Sequence, residues 1–181
     1  LSRVAEPYPA ALAALVAEVG PIEAAEMVRA GEVSPSVASQ TSARKTEERV
    51  HEDLELIGKR GGRLLIPEDD EWPRWPFVAL GGAVAQRCGG EPLALWVRGA
   101  HDLAEVTDKA VAIVGSRAAS GYGEHVAGEF AYGLAGVGVT VVSGAAYGID
   151  GAAHRGALGA GGLTVAVLAC GVDFAYPAGH Q

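Results

Sequence analysis

The chain has 181 residues, 49% apolar and 20% charged, so it can bury a core and is not disordered in composition. Two cysteines, Cys88 and Cys170, are too few for a disulfide framework or a zinc site, and no apolar run approaches the ~20 residues of a membrane-spanning helix. A formal net charge of −8 argues against a generic polycation that binds nucleic acid everywhere.

Glycine and charge divide the chain. Residues 1–110 hold 10 of the 26 glycines and residues 111–181 hold 16. The first part carries 12 basic and 18 acidic residues, the second only 2 and 4. Such a shift predicts two units. The chain begins at Leu1, with nothing like a charged-then-apolar signal peptide, and a cytoplasmic protein with no membrane partner is the expectation.

The front reads as helices. Residues 9–19 have apolar positions at helical spacing and stop at Gly20; Pro21 then opens a second helix that stops at Gly31. The Ser/Thr-rich stretch from Val33 predicts a loop entering a helix. Residues 41–59 predict a polar helix with one apolar stripe of Val50, Leu54 and Ile57, ended by Gly61 and Gly62. Residues 64–66 suit a short strand, after which Pro67, Pro73 and Pro76 predict irregular chain. Residues 93–99 suit another short strand, and residues 101–108 a polar linker.

The back alternates. Strands are predicted from Ala110 to Val114, over residues 139–142 and from Leu163 to Ala169. Helices are predicted over residues 121–136 and 150–158. Strands apolar on both faces, alternating with helices, predict a doubly wound parallel α/β sheet covered on both sides. Three strands make a thin sheet, and the expectation is a piece cut inside its domain.

Three glycine-bearing turns follow the three strands and converge on the carboxyl edge, where open α/β sheets bind ligands. In the first, Gly115, Ser116 and Arg117 lead to a helix starting near Ser120 and Gly121. Free amides and a helix N-terminus favour an anion there. Gly115 would permit close approach, Ser116 would donate a hydrogen bond and Arg117 would grip a phosphate. Neither nucleotide fingerprint fits: G-x-G-x-x-G would need glycine at 117 and 120, and no Gly-Lys-Ser/Thr follows. The plainer reading is a tight turn with a surface arginine; phosphate binding is preferred, because Arg117 is one of two basic residues after Lys109.

In the second turn Ser143 and Gly144 precede Tyr147, Gly148 and Asp150. Asp150 is read as the N-cap of the next helix, and His154 as a packed or surface histidine on the same helical face. A Ser–His–Asp hydrolase is disfavoured, since no G-x-S-x-G elbow exists. In the third, Cys170 is read as a small buried thiol beside Gly171, while Tyr176–Pro177 would stack on a base or pin the loop. No catalytic residue, metal ligand or cofactor is assigned. Trp72, Trp75 and Trp96 are read as packing residues, the run 68–71 as a solvated acidic turn, and His51 and His101 as exposed.

The order V-A-I-V-G-S-R, S-x-Y-G, V-V-S-G-x-A-x-G-I-D-x-x-A-H-x-G-A-L and T-V-A-V-L-A-x-G-V-D-x-x-Y-P, spread over residues 111–177, resembles the DNA-processing protein A family (DprA, also called Smf). D-D-E-W-P and L-A-L-W-V-R-G agree more loosely. The resemblance implies an extended Rossmann-like sheet, here truncated, preceded by a small helical domain like a sterile-alpha-motif or helix-hairpin-helix module. It divides the chain into residues 1–62 and 63–181, the latter with extension strands over 63–109 and a βα core over 110–181. It implies single-stranded DNA as ligand, the RecA recombinase as partner during natural transformation, and a homodimer for the full-length protein. No enzymatic activity is implied. Gly115, Ser116 and Arg117 would hold backbone phosphate, with Ser120, Gly121, Ser143, Gly144, Tyr147 and Gly148 on the same edge. Asp150, His154, Gly171 and Tyr176 would shape or line it. Tyr147 stands where the family often has arginine, which exchanges a cation for a stacking ring. A nucleotide-phosphate hydrolase on a related fold is the alternative; its P-G-G-x-G-T-x-x-E motif does not occur here.

Overall fold

A computed structural model describes residues 1–6, 9–44, 49–80, 90–171, 174, 176 and 177. It divides into two compact units, one of Leu1–Lys59 with Arg63–Leu95 and one of Arg60–Gly62 with Trp96–Gln181. Among the described residues no helix is long and apolar enough to cross a membrane.

In the first unit α1 (Ala10–Val19) and α2 (Pro21–Ala30) meet at the expected Gly-Pro corner. Pro21 suits the first helical position because the amide it lacks would have no intrahelical partner. α3 (Pro35–Thr41) starts from Ser34, whose hydroxyl accepts from the Val37 amide, and a 3₁₀ turn follows over Ser42–Arg44. Leu12, Val28 and Val37 form the core of these helices. The polar helix expected from residue 41 is described only as α4 (Val50–Lys59). Of its stripe, Ile57 is buried while Val50 and Leu54 are exposed.

β1 (Gly62–Leu65) is followed by α5 (Arg74–Val78), where irregular chain was expected. Pro76 fits because it lies in the first turn, where its missing N–H removes no bond. Trp72 is buried and packs obliquely on Phe77, ring centroids 5.4 Å apart. Trp75 is 73% exposed, so its expected packing is not met; Trp96 is half-buried. Within the acidic run, Glu71 pairs with Arg63, and the Asp69 carboxylate accepts from the Ile66 amide. His51 and His101 are exposed.

β2 (Leu95–Arg98), which enters the second unit at Trp96, precedes α6 (Leu103–Asp108), which replaces the expected linker. Asp102 caps it by accepting from the Glu105 amide at 3.0 Å. The βα unit then runs β3 (Ala110–Ala112), α7 (Gly121–Gly136), β4 (Thr140–Ser143), α8 (Ile149–Gly159) and β5 (Thr164–Ala166). The three strands are parallel in the order β3-β4-β5, with Val111 opposite Val141 and Val141 opposite Thr164. The parallel α/β organisation is as the sequence predicts.

Among the described residues, coverage of both faces is not. Successive crossovers moving in one direction along a sheet place their helices on one face. α7 and α8 accordingly share a face, where Ala131, Ala135, Val141, Ala153 and Ala157 form the core. Val114 and Val167 are 69% and 64% exposed. The strands also end two to three residues before the expected Val114 and Ala169.

The two long helices approach through glycine. A Cβ on Gly156 would lie 2.2 Å from the Gly128 carbonyl oxygen, so nothing larger than hydrogen fits. The small-residue face of α7, with Ala127, Ala131 and Ala135 buried, makes this approach possible.

Candidate functional site

The carboxyl ends of β3 and β4 carry the first two turns, and the start of α8 locks them together. Gly148 has φ +75°, and a Cβ there would meet the Ser116 carbonyl oxygen at 2.3 Å. This is a position for glycine on both conformational and steric grounds. The Ile149 amide donates to the same Ser116 carbonyl at 3.2 Å. Ile149 also fills the space beside Gly115, whose hypothetical Cβ would touch its Cγ1 at 2.7 Å. Ile149 therefore occupies the space on the Cβ side of Gly115.

Asp150 is buried and is not the N-cap of α8. The helix starts at Ile149 from Gly148, so Asp150 lies inside the first turn and its side chain reaches back to the sheet edge. Its Oδ1 accepts from the Gly115 amide at 3.3 Å; Oδ2 accepts from the amides of Gly144 at 3.2 Å and Ala146 at 3.3 Å. One carboxylate thus ties both turns together. It also satisfies the Gly115 amide, one of the donors that the free-amide expectation relied on.

Ser143 is buried, and its hydroxyl donates to the Ile113 carbonyl at 2.6 Å, joining β4 to the end of β3. Ser120 caps α7 by accepting from the Gly123 amide at 3.2 Å, and Gly121 is the first helical residue. His154 Nδ1 lies 2.7 Å from Thr164 Oγ1, which donates its single hydrogen to the Val141 carbonyl at 2.7 Å. The hydroxyl must then accept from His154, which fixes the proton on Nδ1. His154 is a packed side chain joining α8 to β5.

A cleft of about 500 Å³ opens at this edge and is lined by Gly115, Arg117, Gly144, Asp150, Cys170 and Tyr176 among others. Five of the residues assigned to this edge from sequence, Gly115, Arg117, Gly144, Asp150 and Tyr176, are thus brought together. Ser120 and Ser143 are engaged elsewhere, and Gly121 lines a different groove, between α7 and α8. Ser116 is exposed, and Tyr147 is 50% exposed. Gly171 is exposed, and Tyr176 is 40% exposed.

Cys170, expected to be buried, is exposed and faces the cleft. Turn spacing could not give this, because burial of a loop residue depends on where the strand before it stops. Sequence reasoning also missed Ala146, whose amide holds Asp150, and Ala145, a non-glycine residue at φ +58°.

The electrostatics are simple. In residues 110–171, Arg155 is 3.4 Å from Glu124 and Asp150 is held by amides. Arg117 is exposed and has no ion-pair partner among the described residues. Among the described residues the cleft therefore carries one exposed cation, Arg117, and a buried carboxylate, Asp150, committed to backbone amides. Among the described residues no group of three or more His, Cys, Asp or Glu could hold a metal ion.

A family model described as DNA recombination-mediator protein A matches residues 63–181. The chain belongs to this family. It is 58% identical over 183 residues to the DNA processing protein DprA of Mycobacterium tuberculosis, covering all of this chain and 47% of that relative. It is 45% identical over 116 residues to protein Smf of Escherichia coli, covering 64% of this chain and 28% of the relative. The crystal structure of DNA processing protein A from Streptococcus pneumoniae superposes with a TM-score of 0.64 at 27% identity. That match covers 99% of this chain and 58% of the other. The chain thus spans about half the length, or less, of these curated relatives. Within this DNA recombination-mediator protein A domain, the turns joined by Asp150 and the cleft beside Arg117 both fall inside the matched residues.

Proposed function

We propose that this chain is the single-stranded DNA-binding part of a recombination mediator, which in its full-length form dimerises and loads the RecA recombinase on incoming strands in natural transformation. The observation that carries the reading is the family match over residues 63–181, which includes Arg117, exposed at the cleft and without an ion-pair partner among the described residues. A single strand needs a few phosphate contacts and stacking surfaces, so a net charge of −8 is no obstacle. The cytoplasm is the compartment where such a mediator would meet DNA and recombinase.

In this reading Arg117 holds a backbone phosphate, with Ser116 beside it. Tyr147 and Tyr176 offer rings for stacking. Gly115, Ser143, Gly144 and Gly148 shape the edge from within, and Ser120 and Gly121 begin the helix next to it. His154 holds α8 on the sheet. We also propose the division into a helical domain over residues 1–62 and a DNA-binding domain over 63–181; the family match beginning at residue 63 supports it. The hydrolase alternative is not carried forward, because the named relatives are DNA processing proteins.

The test is a titration with single-stranded oligonucleotide at several salt concentrations, with a nucleoside monophosphate as control. The expected result is salt-dependent binding of the oligonucleotide and no turnover of the monophosphate. Arg117→Ala should cost about 1–3 kcal/mol of binding, as for a charge-assisted contact, and flatten the salt slope. Unchanged affinity at physiological salt would remove Arg117 from the interface.

A further inference from the structure

The sheet edge of a parallel α/β unit normally presents its turn amides to a ligand anion. Here three of those amides, from Gly115, Gly144 and Ala146, point at the carboxylate of Asp150. Asp150 is 6% exposed, and a Cβ on Gly144 would lie 2.9 Å from its Oδ2, so the carboxylate fills the space between the turns. We propose that Asp150 is a built-in occupant of the anion cradle and a specificity-determining residue, which closes the edge to free phosphate and mononucleotides.

The physical argument is one of competition. A phosphate oxygen and a carboxylate oxygen need the same N–H donors. Asp150 supplies its oxygens intramolecularly, on a helix fixed by Gly148 against the Ser116 carbonyl. An external anion would have to displace a tethered one and then share a small space with it, at like charge. A mononucleotide needs its phosphate held in such a cradle. A polynucleotide does not, because several phosphates can each meet a rim group such as Arg117. The inference rests on the proposed DNA-binding reading only for what the rim takes; the closed cradle stands or fails without any DNA measurement.

The test follows the amide resonances of Gly115, Gly144 and Ala146 while inorganic phosphate, deoxyadenosine monophosphate or acetate is added to the chain. In the wild type these resonances should stay in place. In Asp150→Ala, phosphate and acetate should move all three saturably, with apparent affinity about tenfold or more above wild type. Both anions should also raise the variant's melting temperature and not that of the wild type. A merely structural aspartate would give a destabilised variant that no anion rescues. Movement of the three resonances by phosphate in the wild type would overturn the proposal, and this arm requires no variant to fold. A folded variant whose amides ignore phosphate and acetate would overturn it too. Should Asp150→Ala not fold, Asp150→Ser, which removes the charge and shortens the side chain so that the space between the turns opens, takes its place, and the same shifts are required of it. Loss of oligonucleotide binding in Arg117→Ala bears on the DNA-binding reading alone.

Discussion

In the helical unit Arg3 forks onto Asp53 through two contacts of 2.6 Å, and Arg44 reaches Glu6 at 3.2 Å. In the βα unit Asp150 is held by three backbone amides, and the long helices meet at Gly128 and Gly156. Beside their apolar cores, the first unit ties distant segments with ion pairs, whereas the two long helices of the second meet backbone to backbone. Charge pairs tolerate adjustment, because long side chains can follow a shifted partner. Backbone contacts do not, because nothing between the two elements can yield. A substitution should therefore act very differently in the two regions.

The largest effect is expected at Gly156. Gly156→Val must push α8 away from the Gly128 carbonyl and open the core of Val141, Ala153 and Ala157. We expect a loss of about 3 kcal/mol or more in chemical denaturation, at the upper end for overpacking. A loss below about 1 kcal/mol would mean that the helices slide apart freely, and the contrast between the units would disappear.

Arg3→Ala should act less, by about 1 kcal/mol, since the pair is forked but partly exposed. Its signature is in the pH dependence. The hydrogen bond from Arg3 holds the Asp53 carboxyl below its usual range, against the opposing pull of burial. A carboxyl lower in the folded than in the unfolded state stabilises fully above about pH 4 and loses that contribution as the pH falls through the folded value. Arg3→Ala should flatten that acid limb. Hydrogen exchange should show lost protection in α4 and none in α7 or α8. An acid limb of unchanged steepness would assign the stabilisation to other groups.

The same contrast explains what could be read from sequence. α1, α2 and α7 were legible to within a residue because glycine or proline marks their ends. The first turn was legible as a site because Gly115–Arg117 is local. Asp150 was legible as important and misread in role, because its partners Gly115 and Gly144 come from two other segments. Strand ends were misread for a related reason: Val114 and Val167 continue the apolar pattern, yet pairing rather than apolarity ends a strand, and both are exposed. α6 was missed although its signal, Asp102 three residues before Glu105, is present in the sequence.

The smallest effect is expected at Ala145, and it tests the second unit from the inside. Its φ of +58° places a Cβ-bearing residue in left-handed backbone, which costs about 1–2 kcal/mol. Ala145→Gly removes that strain, but it also frees the unfolded chain by about 0.5–1 kcal/mol. It further gives up a buried methyl, Ala145 being 9% exposed, at about 0.8 kcal/mol. The three contributions nearly cancel, so stability should change by no more than about 0.5 kcal/mol. Stabilisation well above that would show that the methyl contributes nothing and that the turn carries its strain uncompensated. Clear destabilisation would show that left-handed backbone is cheap here, because the amides on either side, of Gly144 and Ala146, are already fixed on the Asp150 carboxylate.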